Sequence, residues 1–307
     1  MRNVGIRVHN PFVKKNKQNW NTTSKATSKI KIFSYLEDLF ETDIPTELKA
    51  FECLKNSRVN LDVNYLAVPW TVLINTKKLD LAPNIQLDGG FTICQHVNFK
   101  LIIPKLKEIG IDVLFTPHVM KKDIFDGIHV LPFPHFPING ADPASNKDLL
   151  YSFIGYDTHF TRKQLFSLPA QENTIIKQRL QWHFKGNQQL KDEERGEYQE
   201  VLSRSRYSLC PRGVGASTVR FWESLQAEAI PVLFDRDMYL PEGFDWTTCC
   251  IFLNDKDIIN LHAILSAIPE DRENELKSAC KAAFNQFCGE GFVFAIYNYY
   301  GVKNEYE

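Results

Sequence analysis

The chain has 307 residues, enough for one large domain or for two medium ones that each bury a core. Hydrophobic residues make up 44% and charged residues 24%, the composition of an ordinary soluble globular protein. The formal net charge is -1 and the basic patch at residues 14–17 is short, which argues against a nucleic-acid partner held by phosphate neutralisation. No run approaches the ~18 apolar residues of a membrane span, and the start of the chain lacks the apolar stretch of a signal peptide.

The cysteines are odd in number and scattered, without a C-x-x-C pair or a His/Cys spacing typical of zinc. Most lie in apolar runs, so we interpret them as buried free thiols in a reducing compartment. They are Cys53, Cys94, Cys210, Cys249, Cys250, Cys280 and Cys288.

The first half alternates strand-like and helix-like patterns, which is typical of a parallel α/β sheet. The predicted elements are a strand at residues 4–8, helices at 28–40 and 45–54, a strand at 62–70, a turn and strand at 88–96, a helix at 101–109 and strands at 111–115 and 128–131. Proline-rich residues 132–137 and the polar run 139–148 then predict a domain boundary.

The second half repeats this alternation. Its predicted elements are a strand at 150–155, a helix capped by Thr161 that begins at Arg162, helices at 193–203, 257–268 and 271–287, a strand at 249–253 and a last helix within 292–300. Between them, residues 207–234 read as strand, glycine turn, helix and strand. The helix carries one buried stripe, formed by Thr218, Phe221, Trp222, Leu225 and Ala229.

The glycine turn has the features of an anion site. Gly213 and Gly215 allow either a left-handed conformation or a close approach to the backbone, and Ser217 can cap the helix. The free N–H groups of a helix start favour a phosphate, and arginine pairs with phosphate oxygens in bidentate fashion. Arg212 and Arg220 flank the turn, and Glu223 could accept hydrogen bonds from a ribose. Alternatively, Arg220 and Glu223 form a surface pair and the glycines only turn the chain.

This stretch, Cys210-Pro211-Arg212-Gly213 followed by RFWESLQAEAIPVLF, resembles the signature of the exostosin family, glycosyltransferase family 47. That signature is CPRG, a small-residue turn and an R-F-x-E-x-[LI]-x-x-G-x-[IV]-P-V core, from which this chain departs at Glu228-Ala229. Residues 62–70 resemble the family's N-terminal half more loosely. The resemblance implies an α/β protein of the GT-B type, with two Rossmann-like domains facing a central cleft.

In that arrangement, residues 1–140 form the acceptor-side domain and 148–290 the nucleotide-sugar domain, while residues 291–307 pack back on the first. The resemblance implies inverting transfer of a sugar from a UDP-sugar to a hydroxyl of a cell-surface or viral glycan, without an essential metal or cofactor. The implied donor-binding residues are Arg162, Arg212, Gly213, Gly215, Ser217, Thr218, Arg220 and Glu223. Because this chain resembles only the soluble catalytic part of the family, it reads as a bacterial or viral cytoplasmic enzyme.

Inverting transfer needs a general base on the acceptor side. His96 is the first candidate because it follows a buried strand directly and a neutral imidazole accepts a proton near pH 7. Asp88 is the second candidate, with Asp62 and His135 behind them. The alternative for His96 is a structural histidine at a strand end.

Three alternatives stay open. Asp235-Arg236-Asp237 is a DxD motif of the kind that holds Mn²⁺ in the GT-A fold. The donor could be a GDP-sugar, as in fucosyltransferase-like GT-B proteins, or the chain could bind nucleotide or glycan without turnover. The sugar, the acceptor and the linkage depend on loops 136–148 and 156–160, and the oligomeric state is not encoded in any motif.

Overall fold

The computed structural model describes residues 30–180, 188–234 and 238–302. Within these ranges two five-stranded sheets form the framework, one from each half of the chain, and their strand pairings are parallel. The strand predicted at residues 4–8 and the DxD motif at 235–237 lie outside the described residues.

The first sheet follows chain order, since each strand pairs with the next. Its strands are β1 (Lys31–Ser34), β2 (Asn64–Ala67), β3 (Phe91–Ile93), β4 (Val113–Thr116) and β5 (His129–Pro132). The helices of this half are α1 (Thr46–Asn56), α2 (Trp70–Asn75) and α3 (Ile103–Ile109). As predicted, α3 ends at Gly110, whose φ of 88° is the left-handed conformation that glycine adopts without strain.

The helix predicted over residues 28–40 is wrong in its described part. Lys31–Ser34 form β1 and pair with β2, and only Glu37–Leu39 make a short 3-10 turn. The apolar residues of this segment have nearly helical spacing, but the main-chain groups find parallel partners on β2. Pairing with a neighbouring strand therefore overrides the local periodicity.

The second sheet contains β6 (Leu149–Tyr156), β7 (Thr174–Arg179), β8 (Ser205–Leu209), β9 (Ile230–Leu233) and β10 (Ile251–Phe252). Its spatial order is β10-β9-β8-β6-β7. The chain goes from β6 to β7 on one side and then returns to β8 on the other side, so the strand order reverses between β6 and β8. Ligands of open parallel sheets bind beyond the carboxyl ends of the strands at such a reversal.

The helices of the second half are α4 (Phe160–Phe166), α5 (Gln188–Arg204), α6 (Val219–Gln226), α7 (Leu261–Ser266), α8 (Glu270–Phe287) and α9 (Phe294–Tyr299). The predicted cap Thr161 is inside α4, because His159 occupies the N-cap position. Strand β7 is absent from the sequence prediction. Its residues are mostly partly buried or exposed, so no apolar alternation marks them.

Each half has its own apolar core. Trp222, Trp246 and Phe287 pack together in the second half, with ring centroids 5.0 to 6.3 Å apart. The C-terminal segment returns to the first half, where Phe292 and Ile296 are buried and the Phe292 ring lies 5.3 Å from Phe133. The seven cysteines are free thiols, and all but Cys53 are buried.

The two parallel α/β sheets confirm the predicted fold class, the GT-B arrangement. The segments that follow β4 and β8 meet between the halves, where the His118 ring contacts Gly215. Met120 also forms an isolated antiparallel bridge with Met238. The domain limits given above stay predictions. In the described ranges, no helix combines the length and the apolar character that a membrane crossing requires.

Candidate functional site

The reversal between β6 and β8 brings two loops together at the carboxyl edge of the second sheet. One loop follows β6 and contains Asp157 and Thr158; the other follows β8 and contains Gly213. A side-chain carbon built on Gly213 would lie 3.5 Å from the Thr158 hydroxyl and 3.2 Å from Arg162 Nη2. The glycine turn identified in the sequence therefore lies at the position where the topology predicts a ligand site.

Arg162 joins these loops through main-chain carbonyls. Its Nη1 donates to Tyr156 at 3.0 Å, its Nε to Arg212 at 2.9 Å and its Nη2 to Pro211 at 3.3 Å. Burial and the nearby charge of Arg220 lower its pKa to about 10. The guanidinium therefore has a structural role, since it joins the two loops, and its predicted phosphate contact stays a prediction.

The two glycines of the turn do not take the left-handed conformation. Their role is close approach, because a side-chain carbon on Gly215 would overlap the imidazole of His118. Helix α6 begins one residue later than predicted. Its N-cap is Thr218, which makes no side-chain capping bond, whereas Ser217 is buried ahead of it.

Arg220 lies between two aromatic rings on the inner side of α6. Its guanidinium carbon is 4.8 Å from the ring centroid of Phe153 and 4.7 Å from that of Tyr198. Its Nη2 donates to the carbonyl of Ile154. These contacts use both faces of the guanidinium and one of its N–H groups, so the geometry favours a role in positioning the helix, and the diphosphate contact of Arg220 stays a prediction.

Glu223 is 3% exposed, which contradicts the surface pair considered above. Its Oε1 accepts from the main-chain N–H of Asn139 at 2.9 Å, and its Oε2 accepts from the Tyr198 hydroxyl at 2.6 Å. The carboxylate thus ties α6 to the segment between the sheets. Both oxygens predicted to accept ribose hydroxyls already have internal donors.

On the first sheet, His96 lies three residues beyond β3 and is partly buried. Its Nδ1 accepts from the main-chain N–H of Asn98 at 3.0 Å, and its Nε2 lies 3.0 Å from Asn75 Oδ1. Burial lowers its pKa. Both ring nitrogens have partners, so His96 can take up a proton only by giving up one of these bonds.

His118, two residues beyond β4, is nearer to the glycine turn. Its ring packs edge-on against that of His135, with centroids 5.0 Å apart. The Nδ1 atoms of both histidines are buried without a hydrogen-bond partner in the described chain. Burial, together with the charges of His96 and Arg212, lowers the pKa of His118 to about 4, and burial holds that of His135 well below its usual range.

The second base candidate, Asp88, lies at the other edge of the sheet. It precedes β3 and lines a cavity of about 290 Å³ with Asp62 and Lys31, at the amino ends of the strands. His96 follows the same strand. Because parallel strands place their amino and carboxyl ends at opposite edges, Asp88 and Asp62 cannot share a site with His96. We therefore withdraw both aspartates as candidate bases.

Glu47, in the first turn of α1, is a buried carboxyl that the sequence analysis missed. It accepts from the Gln95 N–H at 3.0 Å and from the Thr71 hydroxyl at 2.8 Å, so it fixes the segment leading to His96. Burial raises its pKa to about 7. The one sequence signal that could have indicated Glu47 is an acidic residue among apolar neighbours just after Pro45.

We expect this carboxyl to give the protein a pH-dependent stability. The folded state binds the Glu47 proton more tightly than the unfolded state, so the free energy of unfolding falls as pH rises from 4.5 through 7. A rise of pKa from 4.5 to about 7 corresponds to at most about 3 kcal/mol. Urea unfolding at pH 5 and pH 8 should show this loss in the wild type and a much smaller one in Glu47→Gln. Glu52→Gln, which changes a partly exposed carboxyl on the same helix, should behave as the wild type. An equal loss in Glu47→Gln would contradict the assignment.

The loop after β6 also carries residues that sequence reasoning passed over. Asp157 Oδ1 and Thr158 Oγ1 are buried and lack a hydrogen-bond partner within the described ranges. Only their position directly after a strand ending in F-x-G could have indicated them. Among the residues that the structure describes, no group of three or more His, Cys, Asp or Glu could hold a metal ion. Because Asp235 and Asp237 lie outside those residues, metal independence stays a prediction.

Sequence comparisons connect this site to known proteins. A family model described as the exostosin GT47 domain matches residues 116–268, about half of the chain. Exostosin-1 of Drosophila melanogaster is 30% identical over 108 residues, which cover 34% of this chain and 14% of that protein. Ribitol-5-phosphate xylosyltransferase 1 of Danio rerio is 26% identical over 211 residues, which cover 62% of this chain and 46% of that protein. The chain thus matches less than half the length of these curated relatives.

Among solved structures, the DNA-modifying β-glucosyltransferase, determined with and without uridine diphosphoglucose, has a TM-score of 0.42 at 12% identity and covers 89% of this chain and 99% of its own. Pneumococcal GtfA, in complex with UDP and GlcNAc, has a TM-score of 0.37 at 11% identity and covers 78% of this chain and 56% of its own. The family match includes β6, the turn after β8 and helix α6. The chain therefore belongs to the exostosin-like proteins of glycosyltransferase family 47.

Proposed function

We propose that the protein is a glycosyltransferase that moves a sugar from a UDP-sugar to a hydroxyl group of a glycan, with inversion and without a metal ion. One observation carries the proposal: the exostosin-like turn lies where the strand order reverses, at the carboxyl ends of β6 and β8. Family membership supports the reaction class. The choice of UDP and of an inverting course rests on the family resemblance.

The donor's diphosphate would lie against Arg212 and the turn from Gly213 to Thr218, at the start of α6. Main-chain N–H groups there can donate to phosphate oxygens, and an arginine stabilises the negative charge that grows on the leaving diphosphate. Arg162, Arg220 and Glu223 then hold this surface in place through internal contacts. Asp157 and Thr158 offer oxygens to hydroxyl groups of the donor.

In the reaction, the bond between the anomeric carbon and the diphosphate oxygen breaks, and its electron pair leaves with UDP. The acceptor oxygen forms the new bond from the opposite face, and its proton passes to a base on the first half. His96 stays our candidate for this base, provided that it releases Asn75 or Asn98 when the acceptor binds. The seven free cysteines support a reducing compartment as the place of this reaction.

A nucleotide screen tests the proposal. We expect UDP to raise the melting temperature more than GDP at equal concentration, because a ligand that binds only the folded state stabilises it by mass action. A UDP-sugar screen read by mass spectrometry should then show transfer or slow hydrolysis that persists in excess EDTA. Greater stabilisation by GDP would overturn the donor, and loss of activity in EDTA would overturn metal independence.

A second candidate function is nucleotide binding without turnover. The full hydrogen bonding of His96 favours it, because no base is ready on that residue. The same screen separates the two functions. UDP binding without release of UDP from any UDP-sugar, with or without glycan acceptors, would support the silent protein.

A further inference from the structure

His118 comes from the first half of the chain yet contacts the turn of the second half. A side-chain carbon on Gly215 would overlap the His118 imidazole, so the ring lies directly against the main chain of that turn. The absence of a side chain at Gly215 therefore has a second explanation besides the approach of a ligand: it leaves room for the His118 ring. The contact brings a titratable group of the first half to the place where the second half binds its ligand.

One ring nitrogen of His118 is an unsatisfied polar atom. Its Nδ1 is buried without a hydrogen-bond partner in the described part of the chain. In the neutral tautomer that carries its proton on Nε2, Nδ1 has a lone pair, so an anion can bind at Nδ1 only if that atom takes up a proton.

The surroundings of His118 favour an anion. Among the described residues, the His135 ring contacts that of His118, and His96 and Arg212 are the charged or titratable groups that act on it. Arg212 carries its positive charge near pH 7 and disfavours a proton on His118 as long as no anion is bound. A ligand with two negative charges would reverse this balance.

We propose that His118 binds the diphosphate of the donor from the first half of the chain, taking up one proton at Nδ1 as the donor binds. This assignment rests on the proposed function. It places His118 on the leaving-group side of the sugar, because Gly215 belongs to the turn that holds the diphosphate. An inverting base must lie on the opposite face of the anomeric carbon, so His118 is distinct from the acceptor's base.

Calorimetry of UDP binding tests the assignment, with titrations near pH 7 in two buffers of different ionisation enthalpy. The buffer dependence of the heat gives the protons taken up per UDP bound. Because UDP itself titrates near pH 6, the informative quantity is the difference between wild type and variant with the same ligand. We expect the wild type to take up more protons than His118→Gln and to bind UDP about tenfold more tightly, since a charge-assisted hydrogen bond is lost.

Two variants separate the functions of the ring nitrogens. His118→Gln can keep a neutral donor near the Nε2 position, and His118→Asn can keep a neutral donor near the Nδ1 position. We expect neither to take up the extra proton, and we expect Asn to lose less affinity than Gln. His129→Gln, which removes an exposed imidazole at the start of β5, is the matched control and should equal the wild type.

The outcomes distinguish this inference from the proposed function. Failure of the wild type to bind UDP would overturn both. Normal UDP affinity and unchanged proton uptake in the His118 variants would overturn only the role of His118. Unchanged UDP binding with a lost acidic limb in the pH profile of turnover would make His118 the base instead. If neither His118 variant folds while His129→Gln does, the residue is structural and the assignment fails.

Discussion

Replacing Arg212 by methionine is expected to lower the rate of UDP release from the donor by about 10²–10³-fold. In the proposed reaction this guanidinium stabilises negative charge that grows only as the bond to the diphosphate breaks. Helix starts and arginines do this without a metal because they are already oriented before the reaction begins. The measurement is steady-state release of UDP from the donor identified in the UDP-sugar screen.

The stability of this variant has to be measured alongside its rate. The fold contact of Arg212 described above uses its main-chain carbonyl, which accepts from Arg162 Nε at 2.9 Å and is kept in the variant. Urea unfolding of the variant shows whether a lower rate reflects the lost guanidinium or a lost fold. Arg204→Met is a matched control, because it removes an exposed arginine paired with Asp148 and Glu200 at the other edge of the sheet. A normal rate in Arg212→Met would exclude the side chain from the diphosphate site.

Replacing Arg162 by methionine is expected to lower the free energy of unfolding by about 3 kcal/mol and to weaken UDP binding by more than tenfold. The substitution leaves the carbonyls of Tyr156, Pro211 and Arg212 without their donor, although it also relieves the cost of burying a guanidinium whose pKa is lowered to about 10. Urea unfolding and calorimetry with UDP measure the two effects.

The neighbouring Lys163→Met is the control, since that side chain is exposed on the same helix. Arg162→Lys should lie between wild type and Arg162→Met, because one ammonium group cannot reach three carbonyls. A variant that unfolds like the wild type but no longer binds UDP would point the other way. That result would support the direct contact between Arg162 and a phosphate that the sequence predicts.

Much of the fold could be predicted because it depends on local patterns. The apolar stripe of α6 predicts that Phe221, Trp222 and Leu225 are buried, and they are. The turn after β8 was recognised from its glycines, prolines and arginines. Asp88 could also have been excluded from sequence alone, since a residue that precedes its strand lies at the amino edge of a parallel sheet.

The roles of single side chains were harder to predict because they depend on residues far away in the chain. Nothing near Arg162 indicates that carbonyls of residues 211 and 212 will use its guanidinium. His118 escaped notice because its significance comes from Gly215. Glu228, in contrast, can be explained from the local main chain. Its φ of 49° is in the left-handed region, which glycine adopts without strain, and the family pattern has glycine at this position.

The return of the C-terminal segment to the first half has a mechanical consequence. In its described part the chain crosses between the halves between Phe136 and Leu150, and again between Phe287 and Phe292. Two covalent crossings act as a double hinge, so a rigid rotation that opens the cleft must have its axis through both. Points far from that axis separate most for a given angle. Because His118 and Gly215 come from different halves, such a rotation would change the distance between them, and this contact would report on it.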